Sequence, residues 1–280
     1  MDADSDSEDE WALPPTLPDQ AIHRAARAGD LDGLRRELDA GYSPDCLCTV
    51  DNITPLQILC IKRQDGGCQA SNDIRLQGVK ILLAAGATDR VEGQDPDESA
   101  LTHAAYLGYY PIVKALLAAG FDAMWKCPDG WSPLHAAASA GLRANASCAV
   151  ALIKAGTPIE QEWYWDEKDA DKAVYTPLLV AMERANVTGQ GSAPNYVLRA
   201  LLRGGATLDM TLIERYGYAV PTHPDYPYVA RVHAAGGWKR YEQAHIMRLA
   251  PIFSKIFPQS RLPHEMVALV VSFWAHVGHY

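Results

Sequence analysis

The sequence predicts an all-α fold, a solenoid of stacked helix pairs closed by a C-terminal helical cap. Three observations predict it. A short phrase built on Thr/Ser-Pro-Leu recurs five times, with its first slot at Gln20, Thr54, Ser99, Ser132 and Thr176. A glycine closes each unit, at Gly41, Gly86, Gly120, Gly156 and Gly205. Apolar residues precede that glycine in one register: Leu38, Leu82-Leu83, Leu116-Leu117, Leu152-Ile153 and Leu201-Leu202. Self-similarity at a period of roughly 20–50 residues marks a repeat architecture, in which stacked neighbours bury a continuous core.

Residues 1–18 read as a disordered acidic tail. Asp2, Asp4, Asp6, Glu8, Asp9 and Glu10 stand without a lysine or arginine, and Pro14, Pro15 and Pro18 follow. Such a stretch buries too little apolar surface to offset its ordering entropy. Ser5 and Ser7 each have an acid three residues on, Glu8 and Glu10, which resembles an acidophilic casein-kinase site.

Residues 19–208 read as about five repeats. Thr-Pro opens a helix, because proline suits the first turn and Thr or Ser caps the free N–H groups. Ala25-Ala26, Ala104-Ala105 and Ala137-Ala138 are small, as close packing of neighbouring inner helices requires. The slots are 34, 45, 33 and 44 residues apart, so insertions interrupt the period; loops are read over 64–76 in unit two and, past the last slot, over 187–194 in unit five. A further lengthening lies between units four and five, where Gly156 to Thr176 spans 20 residues against 13 from Gly41 to Thr54.

Residues 209–280 break the pattern and read as a helical module. A Tyr- and Pro-rich connector leads to predicted helices over about 228–235, 238–257 and 263–276. Stacked repeats need their last apolar face covered by a different unit, and this module is placed to do so.

The phrases Asn52-Ile53-Thr54-Pro55-Leu56 and Gly130-Trp131-Ser132-Pro133-Leu134-His135-Ala136-Ala137-Ala138 carry the T-P-L-H signature. With the closing glycines in register, the chain resembles the ankyrin-repeat family over about 190 of its 280 residues. That resemblance implies helix-turn-helix repeats with hairpin fingers between them. It implies a concave face of fingers and inner helices that binds protein partners without cofactor or turnover. His23 and His135 occupy the histidine slot, for which the resemblance implies a structural hydrogen bond.

Composition narrows the function. The formal net charge of −9 disfavours binding to nucleic acid or an anionic membrane. No apolar run approaches the length of a membrane span. The chain has no basic-then-apolar start, so no secretory leader is expected and its six cysteines are expected reduced, in the cytoplasm or nucleus. The cysteines lack paired C-x-x-C spacing, and His233, His245, His264, His276 and His279 match no zinc motif. Neither a G-x-S-x-G elbow nor a phosphate-binding loop is present. A monomer is expected, with no metal, no cofactor and no catalytic residues.

The finger segments 43–53, 88–98, 121–131 and 158–175 together hold 15 acidic and 4 basic residues. That net −11 favours a partner with a basic surface or segment. The candidate contacts are Trp125, Trp131, Trp163, Tyr164 and Trp165, with Glu160, Glu162, Asp166 and Glu167 steering a basic segment to them. Trp125 and Trp131 also admit a reading as packing against finger backbones. An alternative function is the substrate receptor of a ubiquitin ligase. Leu262-Pro263-His264-Glu265-Met266-Val267 resembles the opening of an F-box. The stretch from Arg248-Leu249 to Pro263 resembles a suppressor-of-cytokine-signalling box, with Phe253 where that pattern has a cysteine.

Overall fold

The computed structural model describes residues 18–48, 52–61, 67–89, 99–164, 174–187, 196–217 and 226–256. The acidic tail, Ser5 and Ser7, the 188–194 loop, the 218–225 connector and the box-like stretch beyond residue 256 lie outside the described residues.

Five helix pairs follow the repeat register. They are α1 (Pro18–Ala28) with α2 (Leu31–Asp39), α3 (Pro55–Cys60) with α4 (Asn72–Ala84), and α5 (Ala100–Tyr106) with α6 (Tyr110–Ala118). Next come α7 (Pro133–Ala140) with α8 (Arg143–Lys154) and α9 (Pro177–Val187) with α10 (Tyr196–Gly204). The module after them contains α11 (Met210–Arg215), α12 (Tyr226–Ala234) and α13 (Trp238–Ile256). Strands β1 (Trp163–Tyr164) and β2 (Val174–Tyr175) pair antiparallel, Trp163 opposite Tyr175, and form the lengthened hairpin between units four and five. Two expectations shift: α4 begins at Asn72, inside the stretch read as a loop, and α1 begins at Pro18, ahead of the Gln20 slot.

The slot residues start the inner helices as the sequence requires. Thr54 Oγ1 accepts from the Gln57 N–H, and Gln57 Oε1 accepts from the Thr54 N–H at 2.6 Å. Gln57 thus fills the histidine slot of unit two. Ser132 and His135 make the same reciprocal pair in unit four, and α7 then ends on Gly141, whose φ of 69° is left-handed.

The inner helices α1, α3, α5, α7 and α9 stack in sequence order, as do the outer helices α2, α4, α6, α8 and α10. Ala104, Ala105, Ala137 and Ala138 are wholly buried between inner helices, where nothing larger fits. Leu82, Leu116, Leu152 and Leu201 are wholly buried beneath the outer helices. Each such leucine contributes about 1.5–3 kcal/mol through burial. Ile213, Val229 and Val232 of α11 and α12 join the same core, which continues the stack beyond the fifth pair.

Two buried polar side chains tie loops to helices. Arg75 donates to the carbonyls of Leu59, Ile61, Cys68 and Ala70 and lies over the Tyr109 ring. Asn145 donates to the carbonyls of Ala105 and Tyr106 at 2.7 Å, which locks unit four to unit three. Arg75 thereby satisfies carbonyls at the end of α3 and in the loop that follows it.

Candidate protein-binding face

Burial alternates along the finger between units three and four. Along 121–128, Phe121, Ala123, Trp125 and Cys127 are buried, while Asp122, Met124, Lys126 and Pro128 are exposed. A turn at Ala123-Met124, closed by the Trp125 N–H on the Asp122 carbonyl, interrupts this stretch. Trp125 is turned inward, 9% exposed, and Met124 is presented, 60% exposed. Met124 is the surface residue that the reading of the sequence missed, and this alternation was the signal for it.

Hydrogen bonds tie each finger to the next. Thr88 donates through its N–H and Oγ1 to the Asp45 carboxylate. The Asp122 N–H donates to Asp89, the Thr157 hydroxyl donates to the Ala123 carbonyl, and Thr207 donates to Glu160 through both its N–H and its Oγ1. Glu160 is therefore a tether between fingers as well as a surface charge.

Asp129 organises the next contact. It accepts from the Trp163 indole N–H at 2.8 Å and from the Trp131 N–H at 3.1 Å, while its carbonyl accepts from the Tyr164 N–H at 3.1 Å. Gly130 sits at the crossing with φ 97°, and a Cβ there would meet the Glu162 carbonyl oxygen at 2.2 Å. Only glycine lets these two backbones approach so closely.

An aromatic series grows from that crossing. Trp131 and Trp163 meet edge to face at 4.6 Å, Trp163 and Tyr175 lie 5.6 Å apart, and Tyr175 stacks on Tyr216 at 5.1 Å. The Tyr216 hydroxyl donates to the Val174 carbonyl. Trp163 is only 9% exposed and belongs to the core. Trp163 and Trp125 thus support the face from within, instead of standing out as the surface anchors expected. The physical reasons differ: Trp125 follows the turn that closes on Asp122, while Trp163 lies on the inward side of β1 with its indole aimed at Asp129.

Trp131 and Tyr164 are half-buried, and Glu162 is exposed. The Tyr164 hydroxyl donates to Glu162 at 2.6 Å, and this bond holds the phenol above its ordinary pKa. Trp165, Asp166 and Glu167 lie outside the described residues.

The histidine slots are structural. His23 Nε2 lies 3.1 Å from the Cys46 carbonyl oxygen and 3.2 Å from that of Ile53. In unit four, Ser132 bonds His135 Nδ1, which leaves Nε2–H to donate to the Tyr175 carbonyl at 3.2 Å. Burial lowers the His135 pKa to about 4, against weaker support for the cation from the Tyr175 and Gln161 carbonyls and Asp129. Burial pushes the thiols of Cys60 and Cys148 up to about 12, far from the thiolate that nucleophilic or metal chemistry needs. Among the described residues, no three His, Cys, Asp or Glu side chains gather as they would around a metal ion, and no helix is long and apolar enough to cross a membrane.

Comparison with known proteins bears on this arrangement. The family model described as ankyrin repeats matches three times, over residues 22–124, 67–162 and 101–208. Protein phosphatase 1 regulatory subunit 12A of Mus musculus is 36% identical over 87 residues, an alignment that covers 25% of this chain and 8% of that protein. The chain therefore corresponds to a small part of that relative's length. With the T-P-L-H caps, the stacked helix pairs and the fingers all in register, the chain belongs to the ankyrin-repeat family, whose repeats are protein-interaction modules.

Proposed function

We propose that the chain is a non-enzymatic scaffold whose finger face captures a basic segment of a partner protein. The surplus of acids over bases on the fingers is the observation that carries this reading. The tethers hold part of that charge in place before any partner arrives, which lowers the ordering penalty of association. Tyr164 and Trp131 supply the half-buried aromatic contacts, with Met124 exposed on the same finger as Trp131. Trp125 and Trp163 act beneath them as supports. The mouse relative is by name a regulatory subunit, which favours a scaffold over a catalyst.

A labelled peptide of alternating lysine and leucine tests this on the full chain. Glu162→Lys combined with Asp122→Lys should slow association and flatten its salt dependence, while Tyr164→Ala should speed dissociation. Peptide binding indifferent to all three substitutions would place the site elsewhere.

A further inference from the structure

The outer helices carry a second recess of opposite character. A groove of about 880 Å³ runs over α6, α8 and α10 and is walled by α12 and α13. That volume is within the roughly 300–1,000 Å³ range of ligand pockets. Six of its lining side chains are cations, Lys114, Arg143, Lys154, Arg199, Arg203 and Arg231. Among the described residues one carboxylate, Glu242, shares it, 3.9 Å from Arg203.

Aromatic rings position the guanidinium groups. Arg143 lies over Tyr196 at 6.0 Å, Arg199 over Tyr228 at 5.1 Å and Arg203 over Trp238 at 5.3 Å. Tyr228, Trp238 and Tyr241 pack on one another at 5.7–6.2 Å, so the wall that orients these arginines is itself fixed. Tyr110 and Val150 also line the groove and are 40% and 39% exposed.

We infer that this groove binds an acidic peptide segment of a partner protein, carboxylates on the cations and one apolar side chain against Tyr110 and Val150. The charges are spread over three successive outer helices and α12, which matches a linear run of carboxylates better than a single small anion. Guanidinium groups held by rings are ready for paired hydrogen bonds to carboxylate. A bilayer surface cannot enter a recess between helices. The finger face and this groove would then select partners of opposite charge.

The test uses a fluorescein-labelled synthetic peptide of six glutamates around one leucine, followed by anisotropy with the full chain at low salt. Lys114→Glu with Lys154→Glu reverses two exposed charges on α6 and α8. The pair should weaken the acidic peptide about ten-fold or more, with thermal unfolding unchanged. Binding of the lysine–leucine peptide should not weaken, so failure of this groove is separable from failure of the finger face. If the reversed pair does not fold, Lys114→Gln with Lys154→Gln should still weaken the acidic peptide. Affinity for it unaltered by either pair overturns the proposal. So does binding of heparin, single-stranded DNA or phosphatidylserine vesicles without binding of the peptide. Peptide binding that emerges only on deleting residues 2–11 would assign the groove to the chain's own acids and overturn the partner reading.

Discussion

His135 Nε2 lies 3.2 Å from the carbonyl oxygen of Tyr175, forty residues further along the chain. The inner helix of unit four is thereby fastened to the returning strand of the long finger, just before unit five begins. At its other nitrogen the ring accepts from the Ser132 N–H, which only a neutral imidazole can do, and burial keeps it neutral.

This gives the fold a specific acid sensitivity. The folded pKa, about 4, lies below the ordinary 6.5, so between those values the unfolded chain binds more protons. Stability should fall as pH drops from 6.5 to 4, by about 1.4 kcal/mol per unit and on the order of 3 kcal/mol in all. His135→Gln should remove that part of the slope, because Gln57 already fills the equivalent slot in unit two. Chemical denaturation of both proteins across this pH window checks it. Identical slopes would show that His135 does not titrate in this way.

Trp163 and Tyr164 are adjacent but face opposite ways, and their substitutions should separate. Trp163→Ala should destabilise by about 3–5 kcal/mol, as truncation of a buried aromatic does. Tyr164→Ala should stay within about 0.5 kcal/mol, as surface changes do. Comparing the two unfolding midpoints is sufficient. Equal effects would contradict the inward orientation of the Trp163 ring.

Gly130→Ala tests the crossing of fingers. A methyl group would collide with the Glu162 carbonyl on a backbone already at positive φ. Destabilisation beyond about 1 kcal/mol is expected. A neutral result would mean that the two fingers are further apart than described.

Leu116→Ala tests the register of the stack. Leu116 is wholly buried in the third unit, and its truncation should destabilise by about 2–5 kcal/mol. A shift under about 0.5 kcal/mol would be that of a surface position.

Removal of 209–280 tests the closing unit. Val229 and Val232 are wholly buried against the stack, and Arg199 and Arg203 of α10 lie over rings of α12 and α13. The shortened chain should aggregate or lose cooperativity in a thermal melt. A monomer that melts like the full protein would show that the fifth pair closes the stack unaided.

The helix pairs were legible in the sequence because each signal is local. A cap residue, a proline and a closing glycine act within one turn, and five copies in register leave little freedom. The facing of Trp163 was not legible. In Trp163-Tyr164-Trp165 every residue is aromatic, so no apolar–polar alternation marks the inward side; only the Asp129 carboxylate on the preceding finger decides it. Trp125 was decidable in principle, since Asp122, Met124 and Lys126 interleave with Phe121, Ala123 and Cys127. The basic groove had no linear trace. Its lining residues run from Tyr110 to Ile246 and meet only when the outer helices stack.

The tethers between fingers have a kinetic meaning. They join residues 43, 33, 34 and 47 positions apart, each about one repeat. No long loop has to close before such a bond can form, and loop closure is the slow entropic step in topologies rich in distant contacts. Asp45 can meet Thr88 once two units have been made, well before the last helix leaves the ribosome. The chain can therefore assemble in the order in which it is synthesised, each completed pair serving as the template on which the next one docks.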